Sequence, residues 1–318
     1  MARTRGSSRT PTVASFLQSW LSAIESTIRP STFTGYAGHV RHHIDPLLGK
    51  MRLGAVDAAA LNAMYAALLA NGSSNGRGLS PATVRRVHAT IHRALRDAVR
   101  WGLLDENPAD RCDPPRVRTA SEMRTWTVEE LRSFLEFAER DELYPLWVVL
   151  TTTGMRRGEG LGLRWSDIDL AGASLAVRQT VVEVGGRILL STPKTARGRR
   201  VVALDATTVA VLKEHHEKHG AHPSALIFGR PDGSPLRPSM VTHRFGRLVA
   251  DSGLPRIRLH DLRHTHATLA LEAGVHPKIV SERLGHATIA FTLDVYSHAL
   301  HHMQRDAADR LGQLVFGV

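Results

Sequence analysis

The amino-acid sequence predicts a mainly α-helical protein of two domains, with a small antiparallel β-sheet in the second. The first observation is length, because 318 residues exceed the roughly 250–300 residues at which a single core stops growing. The second is periodicity, since apolar residues recur at helical spacing along most of the chain. The third is a change to strand-like patterning between residues 174 and 204. Together these observations favour a helical domain followed by an α+β domain.

The first domain is expected over residues 12–106, after a disordered lead of residues 1–11 that is rich in Arg, Ser, Thr and Gly. Its first helix follows an apolar series at helical spacing, made of Val13, Phe16, Leu17, Trp20, Leu21 and Ile24. A second helix is expected from Pro30, and Asp57 is placed to cap a third. Ser80 is the expected N-cap of a fourth helix, with Pro81 in its first turn.

This fourth helix carries two stripes of side chains. One is apolar and is made of Val84, Val87, Ile91 and Leu95; the other is basic and is made of Arg86, Arg93, Arg96 and Arg100. Such a helix packs by its apolar side and can lie along phosphates by its basic side. An ordinary exposed arginine face is the alternative interpretation.

Residues 107–124 are expected to form an interdomain linker, because Asn107-Pro108 and Asp113-Pro114-Pro115 interrupt helical patterning. The second domain, residues 125–318, begins with the capping-box spacing of Thr127 and Glu130. A helix is expected to end at Gly154. A hairpin of residues 174–184 and 187–191 and a third strand at 201–204 would form one small sheet. The chain is then helical again, including an apolar-periodic tail over about 299–316.

The amino-acid composition indicates the kind of binding partner and the cellular compartment. The net charge is +11, and residues 1–124 carry most of the excess, with 17 Lys and Arg against 9 Asp and Glu. This charge balance favours a polyanion as binding partner, and nucleic acid before a membrane surface. The alternative is a basic surface that contacts only solvent. Cys112 is the single cysteine, and no apolar run approaches a membrane span or a signal core. A cytoplasmic, nucleoid-associated protein is expected.

Basic side chains cluster in the second half of the chain. Arg156 follows Gly154, and Glu159 lies three residues on, where it can hold the guanidinium. Taken alone, this spacing is typical of a surface Arg–Glu pair. Four basic residues fall within seven positions at His260, Arg263, His264 and His266. A metal site is the rival interpretation, but side chains two apart on a helix diverge and no zinc-binding helix motif is present, so no metal and no cofactor is expected.

Five segments in order are Thr-Gly-Met-Arg-Arg-Gly-Glu, Pro-Lys-Thr, Leu-His-Asp-Leu-Arg-His-Thr, Leu-Gly-His and Tyr-Ser-His. Over essentially the whole chain, this order resembles the tyrosine recombinase, or phage integrase, family. The resemblance implies a SAM-like helical core-binding domain and a catalytic domain that together clamp DNA. It also implies cleavage and rejoining of DNA at specific sites, in the integration or excision of a phage or mobile element.

The resemblance also implies residue roles. Tyr296 would attack the scissile phosphodiester to form a 3′-phosphotyrosyl link, while Arg156 and Arg263 hold the non-bridging oxygens. Lys194 would protonate the leaving 5′-oxygen, His260 would assist proton transfer, and His286 would hydrogen-bond the phosphate. Arg157 falls outside the family pattern. Arg197, Arg199 and Arg200 are expected to contact phosphate or solvent.

The family further implies double-stranded DNA as partner and four protomers on two DNA sites. The tail would dock either on its own domain or on a neighbouring subunit, and an accessory DNA-bending or directionality protein is a possible partner. Three alternatives stay open from the sequence: a chromosome-dimer resolving recombinase, a type IB topoisomerase-like enzyme, and a DNA-binding regulator that has lost the reaction.

Overall fold

The computed structural model describes residues 10–117, 124–192, 198–219, 222–286, 288, 290, 293, 308–309 and 311–317. The chain divides into two compact units, Met1–Ser121 and Glu122–Val318. Both are mainly helical, and the strands of the second unit are antiparallel, so the predicted fold class is confirmed. Among the described residues, no helix is both long enough and apolar enough to cross a bilayer.

Between residues 10 and 117 the first unit is built from helices. Its helices are α1 (Val13–Ile24), α2 (Pro30–His39), α3 (Asp45–Leu48), α4 (Ala58–Asn71) and α5 (Pro81–Arg100), with a π-helical turn at Val40–Ile44 between α2 and α3. Local chemistry sets the helix starts, because side-chain oxygens accept amide hydrogens left unpaired in a first turn. Asp57 accepts from the Ala60 amide at 2.8 Å, and Ser80 from the Thr83 amide at 3.2 Å. Both predicted N-caps are therefore confirmed.

The core of the first unit is built around Trp20. Its ring is fully buried, and its indole N–H donates to a carboxylate oxygen of buried Asp97 at 2.8 Å. Tyr36 stacks on Trp20 with ring centroids 5.6 Å apart, and the Arg93 guanidinium lies 5.7 Å from the Tyr36 ring centroid. The acidic residue of α5 thus faces inward, while Arg86, Arg96 and Arg100 remain exposed on its outer surface.

The first unit extends beyond the helices at both ends. The Leu53 amide donates to the carbonyl of Pro11 at 2.9 Å. The Asn107 side chain donates to the His92 carbonyl at 3.2 Å, and Ala109 lies in the core. Residues 107–113, which the sequence places in the linker, therefore pack against this unit because an asparagine and an alanine there find buried partners.

Between residues 124 and 286 the second unit has seven α-helices: α6 (Val128–Phe137), α7 (Tyr144–Thr153), α8 (Arg157–Leu161), α9 (Ala206–His219), α10 (Pro238–Asp251), α11 (Asp261–Glu272) and α12 (Pro277–Leu284). The capping box of Thr127 and Glu130 is confirmed, with both reciprocal hydrogen bonds present. Four buried aromatic rings pack at the centre of the unit, those of Trp126, Phe134, Trp147 and Phe245.

The strands form two small sheets instead of the single sheet that the sequence predicts. Strands β1 (Ile168–Asp169), β2 (Ser174–Val177) and β5 (Arg200–Ala203) form one in the order β1-β2-β5, and β3 (Thr180–Val184) pairs with β4 (Arg187–Ser191) in the other. The strand expected over residues 174–184 divides at Gln179, whose side chain donates to the Gly162 carbonyl at 2.7 Å. The two-residue strand β1 is too short to show alternation.

Candidate active site

Helix α7 ends in a tight turn that only glycine suits. Gly154 has a φ of +64°, a left-handed conformation in which a Cβ atom is strained. A Cβ there would also lie 2.6 Å from the ring of His266 and 2.6 Å from a methyl group of Leu284. Two residues after this turn, Arg156 occupies the N-cap position of α8.

Arg156 is held by Glu159 through two contacts. The Arg156 amide donates to one carboxylate oxygen at 3.0 Å, and its guanidinium donates to the other at 2.8 Å. Glu159 is 3% exposed and also accepts from the Arg200 guanidinium at 2.9 Å. The surface Arg–Glu pair considered from spacing alone is wrong in one respect, because the carboxylate is buried and shared by two arginines. Burial by itself would raise the pKa of Glu159, but Arg200 and then Arg156 lower it below its ordinary value.

Arg263 joins the ends of two helices. Its side chain, in the first turn of α11, is 3% exposed. One terminal nitrogen donates to the carbonyl of Gly154 at 2.8 Å, and the other donates to the carbonyl of Leu284 at 2.6 Å. The planar guanidinium therefore fixes the Gly154 turn, which precedes Arg156, against the end of α12, which precedes His286.

His286 lies just beyond α12 and is buried. Gly285, with a φ of +67°, ends the helix, and the His286 amide donates back to the Ser281 carbonyl at 3.0 Å. Desolvation, followed by the charges of Arg263 and Arg156, lowers the pKa of His286 to about 3. The imidazole is therefore neutral at pH 7 in the free protein.

His260 occupies the N-cap position of α11 but makes no side-chain capping hydrogen bond, and its ring centroid lies 5.0 Å from that of His264, nearly perpendicular to it. Desolvation of the ring and the charge of Arg263 lower the pKa of His260, although the residue as a whole remains exposed. Desolvation, followed by the charges of His260 and Arg263, lowers the pKa of His264 to about 4. Both rings are thus neutral at pH 7.

Four predicted site residues converge on this place. Arg156 and Arg263 lie close enough to lower the pKa of both His260 and His286. Arg199, which is exposed, and His286, which is buried, both line a cavity of about 410 Å³. Lys194, Arg197 and Tyr296 lie outside the described residues.

The position of Arg200 was not predicted from the sequence. Its side chain is 7% exposed and binds Glu159, so the expectation of phosphate or solvent contact is wrong for this arginine. Spacing along the chain carries no sign of this contact, because Arg200 reaches Glu159 across 41 positions. Arg157 lies apart from the cluster and donates to the Thr242 hydroxyl.

The arginines and histidines that converge beside helix ends in the second unit are typical of a protein that binds a phosphate group. Comparison with known proteins defines it further. The model of the phage integrase family matches residues 124–303, and that of the phage integrase N-terminal SAM-like domain matches residues 12–68. The chain belongs to the phage integrase family.

Relatives and solved structures agree with this assignment. The chain is 26% identical to a tyrosine recombinase XerC-like protein of Caldanaerobacter subterraneus subsp. tengcongensis, over 95% of this chain and 83% of that protein. It is 30% identical to the ICEBs1 integrase of Bacillus subtilis, over 75% of this chain and 67% of that protein. The Tn1549 transposon integrase in complex with a circular intermediate DNA shares the fold, with a TM-score of 0.80 at 22% identity over 95% of this chain and 99% of that one. The protein is therefore a tyrosine recombinase, a DNA strand-transferase of the class that acts in site-specific recombination for phages and mobile elements.

Proposed function

We propose that Tyr296 is the nucleophile and that Arg156, Arg263, His260 and His286 form the pocket that receives the scissile phosphate. The observation that carries this proposal is the tie made by Arg263, which joins the turn before Arg156 to the turn before His286. Preorganised cations stabilise the charge that develops on a phosphate in the transition state and need no rearrangement when it forms.

Two neutral histidines take part in the proposed strand cleavage. His260 accepts the phenolic proton of Tyr296 as the Tyr296 oxygen attacks phosphorus, and the 3′-phosphotyrosyl bond forms as the bond to the 5′-oxygen breaks. Lys194 gives a proton to that leaving oxygen. His286, neutral because its pKa is lowered to about 3, donates an N–H to a non-bridging oxygen. A second 5′-hydroxyl then gives up its proton to Lys194 and attacks phosphorus, the bond to the Tyr296 oxygen breaks, and the phenol takes its proton back from His260. The phosphotyrosyl link retains the energy of the diester bond, so the scheme needs neither ATP nor a metal.

The partner is double-stranded DNA at specific recombination sites, bound by four protomers on two sites in the cytoplasm, at the nucleoid. The exposed guanidinium groups of Arg86, Arg96 and Arg100, together with Arg93, Arg197 and Arg199, contact phosphates. Three side chains near the C-terminus support docking of the tail on a neighbouring subunit, because Leu311, Leu314 and Phe316 are 61%, 83% and 77% exposed.

The test is covalent trapping on a nicked suicide duplex. The duplex carries a site selected from random sequences for tight binding, and the nick lets the 5′-hydroxyl fragment diffuse away after cleavage. Wild-type protein accumulates a protein–DNA adduct that resists denaturation, and Tyr296→Phe forms none. Tyr144→Phe is the matched control and traps as wild type, because Tyr144 lies at the start of α7, outside the site.

Two further outcomes separate the alternatives. Arg156→Ala or Arg263→Ala lowers the adduct rate by about 10²–10³-fold or more while site binding is kept, as expected for groups that act in the transition state. Absence of any wild-type adduct would instead indicate a regulator. Relaxation of plasmids that lack the site, without recombinants, would indicate a topoisomerase.

A further inference from the structure

Arg200 lies beside the candidate active site, is largely buried and has no role in the proposed mechanism. It is the first residue of β5, and its side chain is 7% exposed. One terminal nitrogen donates to Glu159 at 2.9 Å, and the other donates to the Gly198 carbonyl at 3.2 Å. The Nε–H donates to the carbonyl of Arg283. One guanidinium thus contacts two distant segments of the chain, at Glu159 in α8 and at Arg283 in α12, as well as the residues just before β5.

The first of these contacts leads to Arg156. The two oxygens of Glu159 are divided, because one accepts from the Arg156 guanidinium, and the other accepts from both the Arg156 amide and Arg200. A carboxylate that is 3% exposed needs more than one donor to remain charged. Loss of Arg200 would leave one oxygen with only the Arg156 amide, and the carboxylate could then shift together with the guanidinium it holds.

The contact with Arg283 leads to His286. The carbonyl of Arg283 accepts from Arg200, and the next carbonyl, that of Leu284, accepts from Arg263. Both carbonyls belong to the last turn of α12, where no intrahelical donor remains for them. Two arginines from different elements therefore hold the end of the helix that places His286.

We propose that Arg200 is a positioning residue for strand cleavage, which holds Glu159 and the end of α12 and thereby fixes Arg156 and His286 about the same phosphate. The inference rests on the proposed function of Arg156 and extends it. Arg200 acts through Glu159 and the α12 carbonyl and does not itself contact the phosphate. A displacement of about 1 Å in such a site can cost about 10²-fold in rate.

The experiment measures adduct formation by the 318-residue chain on two suicide duplexes. One carries an ordinary scissile phosphodiester, and the other carries a methylphosphonate, in which a methyl group replaces a charged non-bridging oxygen. A neutral phosphorus centre develops less charge in the transition state, so it depends less on Arg156. Arg200→Met is expected to lower the adduct rate about 10²-fold on the diester at unchanged site binding, and to stay within about 3-fold of wild type on the methylphosphonate.

Arg244→Met is the matched control. Arg244 donates to the buried carboxylate of Asp141 at 2.7 Å in the same unit but makes none of the site contacts. It is expected to leave the adduct rate unchanged on both substrates. Arg200→Lys retains a charge for Glu159 but has no planar fork to reach the α12 carbonyl as well, so its rate should lie between those of wild type and Arg200→Met.

Two failures are distinguishable by including Arg156→Ala on both duplexes. If Arg156→Ala stays slow on the methylphosphonate, the proposed function of Arg156 is wrong. If Arg156→Ala recovers and Arg200→Met does not, Arg200 has only a structural role and the positioning inference is overturned. Should Arg200→Met fail to fold, Arg200→Lys is subjected to the same comparison, and an equal loss on both substrates would refute the inference.

Discussion

Gly154→Ala probes the turn on which the site depends. The substitution places a Cβ atom where φ is +64°, and that atom would lie 2.6 Å from both His266 and Leu284. Neither neighbour can move freely, because the His266 ring hydrogen-bonds the Thr151 carbonyl at 3.0 Å and Leu284 is fully buried. We therefore expect two separate costs, one from the backbone and one from packing.

The magnitudes can be separated with a matched glycine. A non-glycine residue in the left-handed region costs about 1–2 kcal/mol, and overpacking a filled site costs about 1–3 kcal/mol. Gly154→Ala should thus lower the free energy of unfolding by about 2–5 kcal/mol. Gly253 follows α10 with a φ of +71° and has nothing within 4 Å of its Cβ position, so Gly253→Ala should show the backbone cost alone.

Hydrogen exchange followed by mass spectrometry measures both variants. Peptides from α7 and α11 report the opening free energy of the second unit separately from that of the first. Adduct formation should also fall in Gly154→Ala, because the Gly154 carbonyl accepts from Arg263. If Gly154→Ala destabilises the unit no more than Gly253→Ala, to within about 0.5 kcal/mol, the packing argument is refuted.

Three further predictions concern other parts of the molecule. Asp97→Ala should cost about 1–3 kcal/mol in urea unfolding, because the buried Trp20 indole N–H loses its acceptor; Asp97→Asn should cost less, and equal losses would contradict this. Arg86→Ala and Arg96→Ala should each reduce the slope of log affinity against log salt by about 0.9 in DNA-binding titrations, whereas Arg111→Ala, which removes an exposed pair with Glu106, should not. His266 has a pKa lowered from 6.5 to about 4, first by burial, so the unfolded chain binds the extra proton between these values and stability falls as pH falls. Between pH 7 and pH 4.5, the free energy of unfolding should fall less for His266→Gln than for wild type. An equal fall in both proteins would show that His266 is not the cause of the pH dependence.

Helix starts were predictable because their causes are local. The caps made by Asp57 and Ser80 and the capping box of Thr127 and Glu130 each lie within four residues of the amides they satisfy. A left-handed glycine after α7 is equally local, since the helix ends where the chain reaches Gly154. Short-range chemistry of this kind can be read from sequence without knowledge of the fold.

The sheet was only partly predictable because its division depends on a distant contact. Gln179 interrupts the expected strand where it reaches Gly162, 17 positions away. Strand β2 then pairs with β5 instead of continuing into β3. Apolar patterning across residues 174–184 gives no indication of this interruption, since valines occur on both sides of it.

The candidate active site was likewise only partly predictable from the sequence. The motif order indicates Arg156, His260, Arg263 and His286, and the structure brings these four together. Their roles, and those of Lys194 and Tyr296, stay predictions. The supporting contacts of Arg200 and the burial of Glu159 were out of reach, because they join segments far apart in the chain and follow from tertiary packing.

The hydrogen bonds of Arg263 to the carbonyls of Gly154 and Leu284 have a consequence for how the site tolerates sequence change. Both acceptors belong to the backbone, so no side-chain replacement at either position removes the acceptor atom. What restricts position 154 is its left-handed turn, and what restricts position 284 is its burial, so the link of both to Arg263 leaves no correlated pair of residue types. A search for compensating substitutions would overlook this junction, whereas a single change at Arg263 would release both helix ends together.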